Sequence, residues 1–446
     1  MGAAAWTRTP AVGEAVAEAF RQEWGRVVAA LIGLTGDWDL AEECAQEAFT
    51  RATRTWPRDG VPRKPGAWLT TVGRNLAVDR LRRSAREAAW LAEAAKIFPE
   101  TAGAGAGSGS GSGSGSGEAY GPEFAADFAD DRLRLIFTCC HPALSMQARV
   151  ALTLRTLAGL STAEIARAFL TTEPTMAKRL VRAKGKIRDA RIPYRVPPPH
   201  LLPERTAGVL AVLYLLFNQG YAAGPGTDLI RGGLCEEAIR LARALDELMP
   251  QEPEILGLRA LLCLQDSRRA ARVDAAGELV RLEDQDRTLW DRASIEEGCA
   301  ALAAALRHAA PGPYQIQAAI AACHATAAEA ADTDWVRIAR LYGRLHQLTP
   351  SPVVALNRAV AIAMADGPGA GLAALAELEA SGELADYHLF HAARADLLER
   401  VGRRAEAAAC FRAALSLAAS GASDAERRYL ARRLAGITED SPEENP

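Results

Sequence analysis

The stretch Leu160–Arg188, LSTAEIARAFLTTEPTMAKRLVRAKGKIR, decides how the chain is read. Its first half fits a short helix, Ser161–Leu170, capped by Ser161 or Thr162 and carrying Ile165, Ala166 and Phe169 on an inward face. Thr171 and Thr172 break the pattern. A second helix starts at Thr172 or Glu173, with Pro174 in its first turn, where a missing N–H costs little. Met176, Leu180 and Ala183 recur there at core spacing, and Lys178, Arg179, Arg182, Lys184, Lys186 and Arg188 take the other faces. From Thr171 to Arg195, eight Lys or Arg oppose Glu173 and Asp189, a local charge of +6 within a chain that sums to −3. Two short helices with a tight turn, the second densely basic, fit a helix-turn-helix that offers its second helix to the DNA major groove. An αα-hairpin with a solvated basic face fits equally well. The surrounding sequence has to choose.

A chain of 446 residues exceeds a single core and suggests roughly two to four domains. It is rich in Ala, Leu, Arg and Glu and only 6% aromatic, which favours helix over sheet, so an all-α fold is expected. The eight cysteines are scattered without a CxxC, which excludes a disulfide framework or a zinc ribbon. Cys139-Cys140-His141 is the one close cluster, and adjacent cysteines suit a core better than a tetrahedral metal. The amino-terminal MGAAAWTRTP lacks a basic-then-apolar leader, and the longest strongly apolar run, Ala207–Phe217, is too short to span a bilayer. A cytoplasmic protein with reduced thiols and no membrane partner is expected. There is no P-loop, GxSxG or HExxH, and no GxGxxG after a strand. His388 and His391 share a helix face without a third ligand nearby. No enzyme activity, cofactor or metal is expected.

Upstream, Phe20, Trp24, Val27, Val28 and Leu31 form one amphipathic stripe. Asp37-Trp38-Asp39 caps a helix from about Leu40 to Thr55, with Ala41, Cys44, Ala48, Phe49 and Ala52 inward and Glu42, Glu43, Gln46, Glu47 and Arg51 outward. That acidic face is either solvated or a dock for a basic partner. A loop with three prolines follows, Trp56–Gly66. The next helix, Ala67–Arg86, buries Trp68, Leu69, Val72, Leu76, Ala77 and Leu81, while Arg74, Asn75, Asp79, Arg80, Arg82, Arg83 and Arg86 crowd the remainder. Such a face suits phosphates and base edges; an ion-paired surface helix is the plainer alternative.

Taken in order, AEECAQEAFTRA, KPGAWLTTVGRNLAVDRLRR and PTMAKRLVRAKGKIR resemble the extracytoplasmic-function (ECF) sigma factors of bacterial RNA polymerase. The resemblance implies that Glu43, Gln46, Glu47 and Arg51 dock on the clamp of the β′ subunit of core polymerase. It likewise implies that Asn75, Asp79, Arg80, Arg82 and Arg83 melt and read the −10 element, and that Thr175, Lys178, Arg179 and Arg182 read the −35 element of promoter DNA. The loop Trp56–Lys64 occupies the place where such proteins hold a flipped base. The domains expected are 12–92 for sigma region 2, 93–126 for a flexible linker, 127–195 for sigma region 4 and 204–440 for a C-terminal extension.

The linker centre, Gly103–Gly117, is almost pure Gly, Ala and Ser. Its 34 residues (Glu93–Ala126) extend to about 110 Å at ~3.3 Å each. Promoter elements roughly 20 base pairs apart lie about 70 Å from one another. The tether therefore spans the gap without setting it. Before the helix-turn-helix, Leu133, Leu135, Ile136 and Phe137 are expected inward, Pro142 breaks the chain, and Ser145–Leu157 resumes as helix.

Beyond Pro197-Pro198-Pro199 the sequence reads as helix after helix, including Ala271–Leu282, Thr288–Ala309, Tyr314–Ala331, Trp335–Leu348 and Arg404–Ala418. Residues near Leu248 to Ala260 echo those near Leu348 to Ala359. Ala395, Gly402, Ala407, Phe411 and Ala414 follow tetratricopeptide (TPR) spacing, so a TPR-like stack with a protein or peptide ligand on its concave face is expected. LIFTCCHPAL, LYLLFNQGY and PYQIQAAIAACHA resemble an ECF subgroup with a long TPR-like extension, which implies that the extension regulates the factor. The competing function is a stand-alone helix-turn-helix regulator with a TPR-like sensor, reading a palindrome as a dimer.

Overall fold

The computed structural model describes residues 9–97, 124–169, 171–221, 232–308, 311–419 and 422–439. Most of the expected linker 93–126, the turn after Tyr221 and Leu170 lie outside the described residues. Helices account for the regular structure among those described, as the composition predicts. Two compact units divide the chain at Val212 and Leu213.

In the first unit, α1 (Thr9–Thr35), α2 (Trp38–Asp59) and α3 (Pro65–Ile97) pack on one another. Trp24, Val27, Val28 and Leu31 are buried, and Phe20, Trp24 and Phe49 cluster with ring centroids 4.9–5.9 Å apart. Asp37 caps α2 by accepting from the Asp39 and Leu40 N–H groups. Contrary to the expected loop at Trp56, α2 continues through Pro57 to Asp59. Burial of Trp56 against Trp68, centroids 5.7 Å apart, draws in the extra turn. Gly60, at φ 83°, then ends the helix with its N–H on the Trp56 carbonyl. Leu81 is also corrected: it is 38% exposed, and every residue from Leu81 to Trp90 faces solvent. The distal part of α3 has outrun the core beneath it.

The second half of this unit comprises α4 (Phe124–Cys139), α5 (Met146–Leu152), α6 (Thr162–Ala168) and α7 (Glu173–Asp189). The helix expected over Ser145–Leu157 is α only to Leu152 and changes to a π-helical turn over Thr153–Leu157. That turn lies on α1. A Cβ on Gly25 would stand 2.7 Å from the Leu157 carbonyl oxygen, so only glycine permits the approach. Gly159, at φ +74°, lies against the rings of Phe20 and Trp24. Cys139 and Cys140 are core residues beside Thr156 and Thr153, and burial pushes both thiols up, Cys140 to about 11.

From Leu202 the chain runs through α8 (Leu202–Tyr221), α9 (Gly232–Leu248), α10 (Pro253–Asp266), α11 (Arg292–Ala305), α12 (Pro313–Ala325), α13 (Trp335–Leu348), α14 (Pro352–Asp366), α15 (Pro368–Ser381), α16 (His388–Arg400), α17 (Arg404–Ala418) and α18 (Asp424–Glu439). From α12 to α18 each helix packs on the next, as in a TPR-like stack. Ala395, Ala407, Phe411 and Ala414 share one core cluster, and Gly402 turns between α16 and α17 at φ +80°.

The predicted helix Ala271–Leu282 is absent. Asp274 Oδ1 accepts from the N–H groups of Ala276 and Glu278, and Gly277 sits at φ +76°, so a polar turn displaces the helix. Asp291 starts α11 later than expected by accepting from Ala293 and Ser294, and α12 stops at Ala325. Near the end, His391 Nε2 meets the Ala385 carbonyl at 2.8 Å and His388 packs on Tyr387.

Candidate nucleic-acid interface

Thr172 caps α7, its hydroxyl accepting from the Thr175 N–H at 3.4 Å. Met176, Leu180, Ala183 and Ile187 are buried, which rotates the basic residues outward. Thr175, Lys178 and Arg182 are exposed; Arg179 is partly covered, its guanidinium 5.7 Å from the Phe169 ring centroid. The uncovered α7 N-terminus adds its partial positive charge to this face. Val181, 69% exposed beside Arg182, was missed by the sequence reading. An apolar residue off the core stripe of a basic helix was the available signal, and its methyls suit a thymine methyl.

On α3, Asn75, Asp79, Arg82 and Arg83 are exposed, and Arg80 is half-covered by an ion pair with Glu43 of α2. Glu43 and Gln46 are exposed, and Arg51 bonds the Glu47 carboxylate at 3.2 Å one turn away. The structure thus joins the α2 and α3 sets along one edge, through Arg80 and Glu43.

Glu42 contradicts its expected outward position: it is 6% exposed. Arg155 Nε, from the π-helical turn, donates to its Oε2 at 3.1 Å. Lys184 Nζ, from α7, stands 2.9 Å from its Oε1, within ion-pair distance but outside hydrogen-bonding angles, and 2.8 Å from Asp39 Oδ1. The Trp24 indole donates to the Arg155 carbonyl, and the Tyr194 hydroxyl meets the carbonyls of Ala29 and Asp131. A buried carboxylate held by two cations joins the α2 edge to the basic helix. A cavity of about 370 Å³ bordered by Ile32, Trp38, Val181 and Ile192 lies along the same seam.

These features define a class: a helical protein carrying two basic helix faces, on α3 and α7, of the kind that suits DNA. Residues 19–87 match Sigma-70 region 2, residues 134–187 match Sigma-70, region 4, and residues 205–306 match a family of unknown function (DUF6596). An uncharacterized protein of Rhizobium meliloti (strain 1021) is 45% identical over 411 residues, covering 92% of this chain and 93% of that one. The chain belongs to the ECF-type sigma factors that carry a long C-terminal extension. It is an alternative sigma factor that directs RNA polymerase to promoters and initiates transcription. RNA polymerase core and promoter DNA are its partners. Among the described residues, no helix is long and apolar enough to cross a membrane.

Proposed function

We propose that Glu43, Gln46, Glu47 and Arg51 meet the β′ clamp of polymerase, that Asn75, Asp79, Arg80, Arg82 and Arg83 engage the −10 strand, and that Thr175, Lys178, Arg179 and Arg182 read the −35 duplex. Region 2 then occupies 12–92, the tether 93–126, region 4 127–195 and the extension 204–440. The protein acts in the cytoplasm without enzymatic chemistry, and the extension modulates its activity through a protein or peptide ligand.

The carrying observation is the Glu42 contact. It connects α2 to α7, and Arg80 with Glu43 connects α2 to α3. The helix α7 is itself about 25 Å long, at ~1.5 Å per residue. Promoter elements lie about 70 Å apart, so this closed form cannot hold both. It is the resting form, and polymerase holds the open one. The matches to Sigma-70 regions 2 and 4 on one chain disfavour the stand-alone regulator.

Glu47→Lys tests the docking face. The expected outcome is weaker binding to core polymerase with the thermal transition unchanged, because an exposed pair contributes only ~0–1 kcal/mol. Wild-type affinity for core would remove this face from docking.

A further inference from the structure

We propose that the cavity between α10, α12 and α13 binds a small organic monocarboxylate. Its volume is about 180 Å³, room for about six waters at ~30 Å³ each. Leu264, Leu282, Ile320, Ala321 and Ala325 supply apolar wall, and Arg268, Gln265, Trp290, His324 and Tyr342 supply the polar groups. Arg268, Arg272, Tyr221 and His324 bring the sequence strings LYLLFNQGY and PYQIQAAIAACHA to one place: the Arg272 guanidinium lies 3.9 Å and that of Arg268 5.8 Å from the Tyr221 ring centroid.

One buried donor of this lining lacks an acceptor. Trp290 is 4% exposed, and its buried indole N–H has no hydrogen-bond partner. No hydrogen bond joins the Tyr342 hydroxyl or the His324 ring nitrogens to a described residue, although His324 packs edge-on to Trp335. Arg268 donates to the neutral Gln265 amide oxygen at 2.6 Å. Behind it, Arg287 lies over the Trp290 ring at 4.5 Å and donates to the carbonyls of His324 and Ala327. None of Arg268, Arg272 and Arg287 forms an ion pair among the described residues; Asp332 and Glu426 reach Arg287 and Arg272 only through their fields. Elsewhere in this unit arginines are bridged to carboxylates, as Arg243 and Arg259 are to Glu297.

Burial, then Arg268 and Arg287, hold the His324 imidazole down at about 4, so it is neutral near pH 7 and the site has no anion of its own. A buried donor without an acceptor is costly, and an ionised acceptor in the cavity relieves the Trp290 N–H while pairing the Arg268 guanidinium. A planar guanidinium on the wall matches a carboxylate, and the apolar remainder matches a short carbon chain. With one charged side chain lining the cavity, a monoanion is better compensated than a dianion.

The test uses the full chain and titrates butyrate, its neutral isostere butyramide, inorganic phosphate and an acidic peptide, at constant ionic strength, by calorimetry. Saturable butyrate binding is expected, with no binding of butyramide. Arg268→Lys, which keeps the charge but loses the fork, and Tyr342→Phe, which removes one hydroxyl, should each weaken it by about tenfold. Arg344→Ala, an exposed arginine on α13, should leave it unchanged. Bound butyrate should also raise the His324 pKa, read from its imidazole resonances. Absence of saturable butyrate binding, equal binding of butyramide, preference for phosphate or the acidic peptide, or affinity unmoved by both cavity variants would overturn the proposal. None of these readouts involves promoter activity, so the outcome is separable from the sigma-factor assignment.

Discussion

Arg155 does three things at once in the first unit. Its Nε donates to Glu42, its Nη1 donates to the Leu160 carbonyl, and its own carbonyl accepts from Trp24. Arg155→Ala leaves Glu42 buried with Lys184 alone, at an expected cost of about 1.5–3 kcal/mol. The free variant should melt earlier and show a larger radius of gyration by X-ray scattering; an unchanged radius would contradict a closed form held at this point. The proposed −35 role of α7 makes a separate prediction. Arg182→Ala and Arg179→Ala should each lower transcription from a promoter that depends on its −35 element, with ~1–3 kcal/mol per lost base contact. Output equal to wild type from both would remove α7 from that role. The basic face of α7 was legible in the sequence because charge and core spacing coincide there. Glu42 was not, since helical period alone places it beside Glu43 on the outer face. Its burial depends on Lys184 and Arg155, which no local pattern connects to it.

Among the elements, Trp335–Leu348 and Arg404–Ala418 match their sequence expectations because their apolar stripes and flanking breaks agree. Ala271–Leu282 failed because alanine content outweighed the Asp274 and Gly277 turn in the reading. The π-helical turn over Thr153–Leu157 had no sequence signal; it follows from the close approach of α1 at Gly25. In the extension, Glu297 of α11 joins α9 and α10 by accepting from Arg243 and Arg259. The Arg243 hydrogen bond above all, with Arg259, holds its carboxyl down to about 2. Because the folded value is depressed, this stabilisation is fully present above about pH 4.5 and is lost as pH falls towards 2. Glu297→Gln should therefore unfold earlier than wild type in urea near neutral pH, and the difference should shrink in acid. A constant difference across that range would show that the carboxylate charge contributes nothing.

For the whole molecule, the first compact unit runs on to Val212, within α8. Arg205 donates to the Phe137 carbonyl, and Val209, Leu210 and Val212 are buried. A chain ending at Val212 should keep a cooperative thermal transition, whereas one ending at Arg195 should melt earlier; equal melting of the two would show that the Arg205 segment adds no stability. The two basic faces and the TPR-like tail were legible from composition and period. The closed contact was not, because it forms between groups far apart in sequence. The account stands most directly on run-off transcription with purified core polymerase and the full chain on a promoter template. It predicts a discrete transcript that requires both protein and core, disappears when either promoter element is scrambled, and has no counterpart in a footprint by the protein alone. A strong operator footprint without core, unchanged when core is added, would contradict it.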